Sequence, residues 1–276
     1  MNIFERLQKI DRRIIYLLLL VVCAVPLVRP IGLPVLVSDR TRAVYDIIEE
    51  LDPAKDIMLL SFDYGPGAGL DAHVVPVAVV EHLAMRGIKF VCVSFSAEGP
   101  MMADQIIKKL EERGMTYGTD FANLGYLAGE ENAIRLFALD SQTITTDVRG
   151  NTVAELPIMK DIETVKDFAF VHQFTSGDPA LWIRQVVDPM GIRFAAGVVT
   201  VSVPSAMPYY NSGQMVGLLG GLRAAAEYEL LIGKPGRPVA MMDAQSMAHL
   251  LIIGFIFLGN IGHFMVKRNE DKAKSA

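Results

Sequence analysis

The stretch from Asp56 to Ser94, DIMLLSFDYGPGAGLDAHVVPVAVVEHLAMRGIKFVCVS, decides how the rest of the chain is read. It opens on a short apolar run, Asp56 to Tyr64, closed by the turn Gly65 Pro66 Gly67 Ala68 Gly69. A continuous apolar run with such punctuation is a strand buried on both faces of a sheet. Asp71 then starts a helix that runs to Arg86 and stops at Gly87, and Ile88 to Ser94 is a second buried strand. Parallel neighbours need a crossover, and here the crossover is helical.

The alternation continues on both sides of this unit. Upstream, Ser38 caps a helix through Leu51, in which Ala43, Val44, Ile47, Ile48 and Leu51 recur at steps of three and four. Downstream, Pro100 to Arg113 is a charged amphipathic helix stopped by Gly114. The pattern breaks between Thr116 and Val165, where only a short helix around Glu130 to Phe137 and a turn at Val148 to Asn151 stand out. That segment reads as an insertion or an irregular crossover. Regularity returns with a strand over Asp167 to Phe174, a helix over Pro179 to Val187, a strand over Arg193 to Val203 and a long helix over Asn211 to Leu231. The expected fold is α/β, a mostly parallel sheet with helices on both faces, an open three-layer Rossmann-like domain over residues 38–240.

Beyond that domain the composition changes. Ile14 to Val28 is uncharged, with Arg12 and Arg13 before it and Arg29 after, and the apolar exit segment continues to Val37. Met247 to Val266 is a second uncharged run of the length a bilayer requires. No small-x-small cleavage site precedes Pro26, so the first run reads as an uncleaved anchor. The expected organisation is a tail (1–13), a first anchor with its exit segment (14–37), the domain, a second transmembrane helix (241–266) and a basic tail (267–276). Arg6, Lys9, Arg12 and Arg13 in one tail and Lys267, Arg268, Lys272 and Lys274 in the other place both termini in the cytoplasm. The expected location is the cell (inner) membrane, with the central domain extracytoplasmic.

Composition removes several function classes. A net charge of −5 without a basic stripe leaves no footprint for nucleic acid. Cys23 lies in the first anchor and Cys92 in a strand, so no disulfide framework forms, and His73, His82, His172, His249 and His263 show no metal-ligand spacing. No cofactor motif is present: the glycine turn lacks both the third glycine of a dinucleotide fold and the Gly-Lys-Ser or Gly-Lys-Thr of a phosphate loop.

What remains are positions rather than motifs. Ligands of open α/β sheets bind beyond the carboxyl ends of the strands, where this sequence places Asp63, Tyr64, Gly65, Gly67 and Gly69, then Ser94, Ser96 and Glu98, then Ser176 and Asp178, then Ser205. Asn211 or Ser212 caps the long helix and leaves free amides there for an anion or carboxylate. Along that helix Gly213, Gly217, Gly221 and Ala225 recur every fourth residue, and a bare face of this kind calls for close packing, on the domain's own sheet or on a neighbouring subunit. Two functions compete. One is a non-catalytic binding or scaffold subunit of a membrane assembly, transport- or surface-related, whose partners are the bilayer and further copies or other subunits. The other is a membrane-tethered enzyme or small-ligand receptor that uses Asp63, Glu98 or Asp178 as acid, base or metal ligand.

Overall fold

A computed structural model describes residues 11–274, and it divides into two compact units, Val35–Lys234 and the two terminal segments up to Pro34 and from Pro235. The first unit is built on six strands: β1 (Ile57–Asp63), β2 (Lys89–Ser94), β3 (Phe121–Tyr126), β4 (Phe170–Thr175), β5 (Phe194–Val198) and β6 (Gly217–Gly220). Every pairing is parallel, in the order β3-β2-β1-β4-β5-β6. The α/β reading is therefore correct, with an all-parallel sheet.

Two apolar cores cover the sheet. On one face lie α2 (Asp39–Glu50), α3 (Gly69–Arg86), α4 (Gly99–Ile107) and α8 (Gly221–Leu231), represented by Val44, Ile48, Val75, Val79, Ile107 and Ala225. The other face carries α5 (Glu130–Leu139), α6 and α7 (Val203–Asn211), with Ile134, Phe137, Trp182 and Ala206 in its core. Helix α6 is composite: Ala180–Trp182, a π-helical stretch Ile183–Val187 and Asp188–Met190. Strands sandwiched in this way bury apolar residues on both faces, which is why Ile57 to Leu60 of β1 reads as a run and not as an alternation.

Three expectations fail, all toward the sheet edges. The irregular segment Thr116 to Val165 contains an edge strand, β3, whose apolar pattern is broken by Asn123 and Gly125. Asn123 is buried because its side-chain amide donates to the Pro100 carbonyl (3.0 Å) and to Asp104 Oδ1 (2.8 Å), so a polar residue here is a packing element. The expected strand Arg193 to Val203 ends at Val198, and α7 follows instead.

The expected helix Asn211 to Leu231 does not exist as one element, because Gly217–Gly220 is strand β6. A Cβ at Gly217 would strike Val44 Cγ2 of α2 and lie 3.1 Å from the Arg40 carbonyl, and one at Gly220 would strike Val203 of α7. Gly221 has φ +49 and gives room to Asp71 and Thr200, Gly213 sits in a turn, and Ala225 is buried in α8. The four positions share no helix face: Gly217 and Gly221 are closely packed within the domain, and Gly213 has open space around it, so the expected interface on one bare helix face does not form.

In the second unit α1 (Arg12–Val28) packs along α9 (Arg237–Lys274). Among the described residues, two helices are long and apolar enough to cross a membrane, Pro66–Arg86 and Arg237–Lys267. The first contains α3, half-buried as a core helix of the sheet, whereas the second is only 6% buried. With 17 residues, α1 is short for a span.

Candidate functional site

The chain leaves β1 toward β2 and β3 and returns through β4 toward β5 and β6, so the carboxyl ends of β1 and β4 flank the switch point at which open α/β sheets bind ligands. There Asp63 stands opposite Thr175. Its Oδ1 accepts from the Phe95 amide (2.9 Å), and its Oδ2 accepts from Ser61 Oγ (2.8 Å), Gln173 Nε2 (2.8 Å) and Trp182 Nε1 (3.3 Å). A carboxylate offers about two lone-pair sites on each oxygen; three donors crowd Oδ2, and one engages Oδ1. Burial holds the pKa of Asp63 above the ordinary carboxylate value, and the four hydrogen bonds offset only part of that rise. The group is a knot joining β1, the exit of β2, β4 and α6.

Beside it the buried Tyr64 hydroxyl lies 3.0 Å from His73 Nδ1 on α3. Burial pushes the phenol up and the imidazole down, so both groups are neutral at pH 7. The turn after Tyr64 forms a short 3₁₀ segment, Pro66–Ala68, with open space around Gly67 and Gly69. Gly65 is different, because a Cβ there would fall on the Glu98 carboxylate. Asp71, in the first turn of α3, accepts from the Thr200 amide (2.6 Å), Thr200 Oγ1 (3.0 Å) and the Leu222 amide (2.8 Å). It caps α8 from another helix, and its charge opposes any anion at the start of α3.

Most other sequence candidates on this edge also serve the backbone. Ser94 Oγ donates to the Phe62 carbonyl (2.6 Å), Asp178 caps α6 through the Ala180 amide (2.8 Å), and Ser205 Oγ donates to the Ser202 carbonyl (2.9 Å). The Ser176 carbonyl accepts from Ser202 Oγ at 3.3 Å. Asn211 and Ser212 are elsewhere: they end α7 just before β6, whose approach is fixed by the Val216 amide on the Phe194 carbonyl, at the amino edge of the strands. No helix starts there, and Ser212 Oγ bonds Tyr209 and Gln214. Ser212 and Asp63 thus lie at opposite edges of the sheet.

No family model, no curated protein and no solved structure matches the chain. The side chains alone speak for the chemistry, and two polar clusters lay hidden in the sequence. Glu49, His82 and Tyr228 form a chain in which the imidazole meets Glu49 Oε1 at 2.8 Å and the Tyr228 hydroxyl at 2.9 Å, and the ring stacks on Tyr45 at 4.8 Å. Its composition resembles a catalytic triad, but Tyr228 is fully buried, so the cluster braces α2, α3 and α8. The second is Arg149, 3.6 Å over the Tyr117 ring and forked onto Glu111 at 2.9 Å, between two surface clefts of about 570 and 610 Å³. Among the described residues, no three of His, Cys, Asp and Glu gather as a metal-binding group.

Proposed function

We propose that the chain is a two-span, membrane-anchored, non-catalytic binding or scaffold subunit of a membrane assembly. The internal engagement of Asp63 carries this reading: four protein donors hold the carboxylate best placed for acid, base or ligand work, three of them on Oδ2, and tie it to the fold. General acid–base or metal chemistry needs a free lone pair facing substrate. Asp71 is likewise held by three internal donors, whereas the exposed Asp178 accepts one, from the Ala180 amide.

The anchoring half rests on α1 and α9. Leu17, Leu20, Leu250, Ile256, Phe257 and Phe264 are exposed although the two helices pack together, and lipid is the medium that covers such faces without cost. Arg12, Arg13, Lys267 and Arg268 sit beyond the apolar runs, so both termini face the cytoplasm and the domain lies across the inner membrane. Native mass measurement of the detergent-extracted chain tests the function: co-purifying subunits or self-assembly support it, and a lone chain retaining a small molecule at the β1/β4 edge overturns it. Impermeant labelling of engineered cysteines tests the topology, which fails if a tail position labels in intact cells and a domain position does not.

The Tyr64–His73 pair favours a second reading, a tethered small-ligand receptor or enzyme, since it lies at the switch point beside the open glycine turn. Loss of a co-purifying ligand in His73→Phe would support that alternative.

A further inference from the structure

Asp243 of α9 is 1% exposed, and both carboxylate oxygens accept from consecutive backbone amides just past α1. Oδ2 takes the amides of Ile31 (2.7 Å) and Gly32 (2.8 Å), and Oδ1 takes that of Leu33 (2.9 Å). Three successive N–H groups converge on one anion only when the backbone folds into a nest, and Gly32 supplies the left-handed residue with φ +72. After the exposed Arg29, which can snorkel out of an apolar layer, the side chains of this non-helical segment are apolar, Pro30, Ile31, Leu33, Pro34, Val35, Leu36 and Val37, and Ile31 and Leu36 are exposed.

The lengths of the two helices give this contact a purpose. From Ile14 to Val28 the first uncharged run rises about 22 Å at helical pitch, short of the roughly 30 Å hydrocarbon layer. From Ala244 to Val266 the second rises about 34 Å. Because the end of α1 lies against Asp243 and the helices pack along each other, they run antiparallel, and the deficit of α1 falls on the side of Asp243. The five residues Arg29 to Leu33 continue from the end of α1 toward Asp243, and because the nest turns the chain at Gly32 they reach less than the roughly 17 Å of a fully extended segment. Non-helical backbone at membrane depth needs its amides satisfied by protein, and an aspartate there needs its charge satisfied in turn.

We infer that residues 29–33 are a strap that completes the first span inside the apolar layer, and that Asp243 is the receptor built to hold it. The strap therefore depends on α9: the first anchor is whole only when the second helix is beside it. The inference rests on the membrane reading of α1 and α9.

The test uses the full chain in its own membrane, with Cys23→Ser removing the half-buried native thiol. Ile31→Cys is then labelled with an impermeant maleimide. Slow labelling is expected in the parent, at least about tenfold slower than at Glu50→Cys on the domain. Adding Asp243→Ala should speed it at least about tenfold. Gly32→Val keeps the carboxylate and denies the nest, and should do the same with Leu33→Cys as reporter. Unchanged slow labelling in both variants overturns the strap, as does a parent in which Ile31→Cys labels as fast as Glu50→Cys. Release of the parent from membranes by alkaline carbonate overturns the anchoring itself, and the strap with it.

Discussion

The middle of the sheet and its two margins are made of different information. In β1 and β4 the apolar residues are buried on both faces, and at those positions any of several aliphatic side chains would satisfy the demand. At the margins, β3 is held by Asn123 on Pro100 and Asp104, and β6 is a four-residue strand whose glycines make room for α2 and α7. A central strand is specified by composition, whereas a marginal one is specified by its particular neighbour. The π-helical break in α6 and the Asp63 knot show the centre borrowing that second kind of specification where chemistry is placed.

The contrast is sharpest at Asp63. Asp63→Ala strands the donors of Gln173, Trp182 and the Phe95 amide together, and should destabilise the chain by about 3–5 kcal/mol, since each buried unpaired donor costs about 1–3. Urea unfolding of the full chain in detergent measures it, and a loss under 1 kcal/mol would show that the knot is ornamental. At the margin, Gly217→Leu should cost about 1–3 kcal/mol by overpacking against Val44 and the Arg40 carbonyl. Gly67→Ala, in open space, should change the midpoint by less than about 0.5 kcal/mol. Equal effects of the two would erase the distinction between a fitted glycine and a turn glycine.

His172 breaks the rule from inside, because this buried β4 side chain has no hydrogen-bond partner on either ring nitrogen. Burial drives its pKa down to about 3. In the unfolded chain it titrates near 6.5, so its neutral form contributes full stability above pH 6.5. That contribution is lost as pH falls toward 3, at about 1.4 kcal/mol per pH unit. His172→Leu should flatten the acid limb of a stability profile by about that slope, and an unaltered limb would refute the assignment.

The same contrast explains what was legible in the sequence. Asp56 to Ser94 announced its strand, helix and strand because apolar runs and glycine stops are local signals, and Asp63 was placed at the carboxyl end by them. The donors that silence Asp63 were not legible, since Gln173 and Trp182 lie more than a hundred residues away. Gly213 to Ala225 misled because glycines four apart imitate a helix face, while their cause lies in Val44 and Val203 on other elements. His73 lay nine residues from Tyr64, and one turn of α3 brings the two together. A search for partners of Tyr64 one turn into the following helix would have found it.

Glu227, on α8, accepts from Arg223 with one oxygen and from the Ser38 amide and the hydroxyls of Ser38 and Thr41 with the other. It joins the first helix of the α/β unit to its last. Lys234, the final residue of that unit, is pinned to Glu81 of α3. Mechanically, a pull applied to both ends of the unit loads this clasp in shear before any strand is peeled from the sheet. Tension reaching the domain through its linkers is therefore borne by a handful of hydrogen bonds, which act as a fuse. Stretching between residues 35 and 234 should show a first rupture that disappears in Glu227→Ala, and an unchanged trace would place the load on the strands instead.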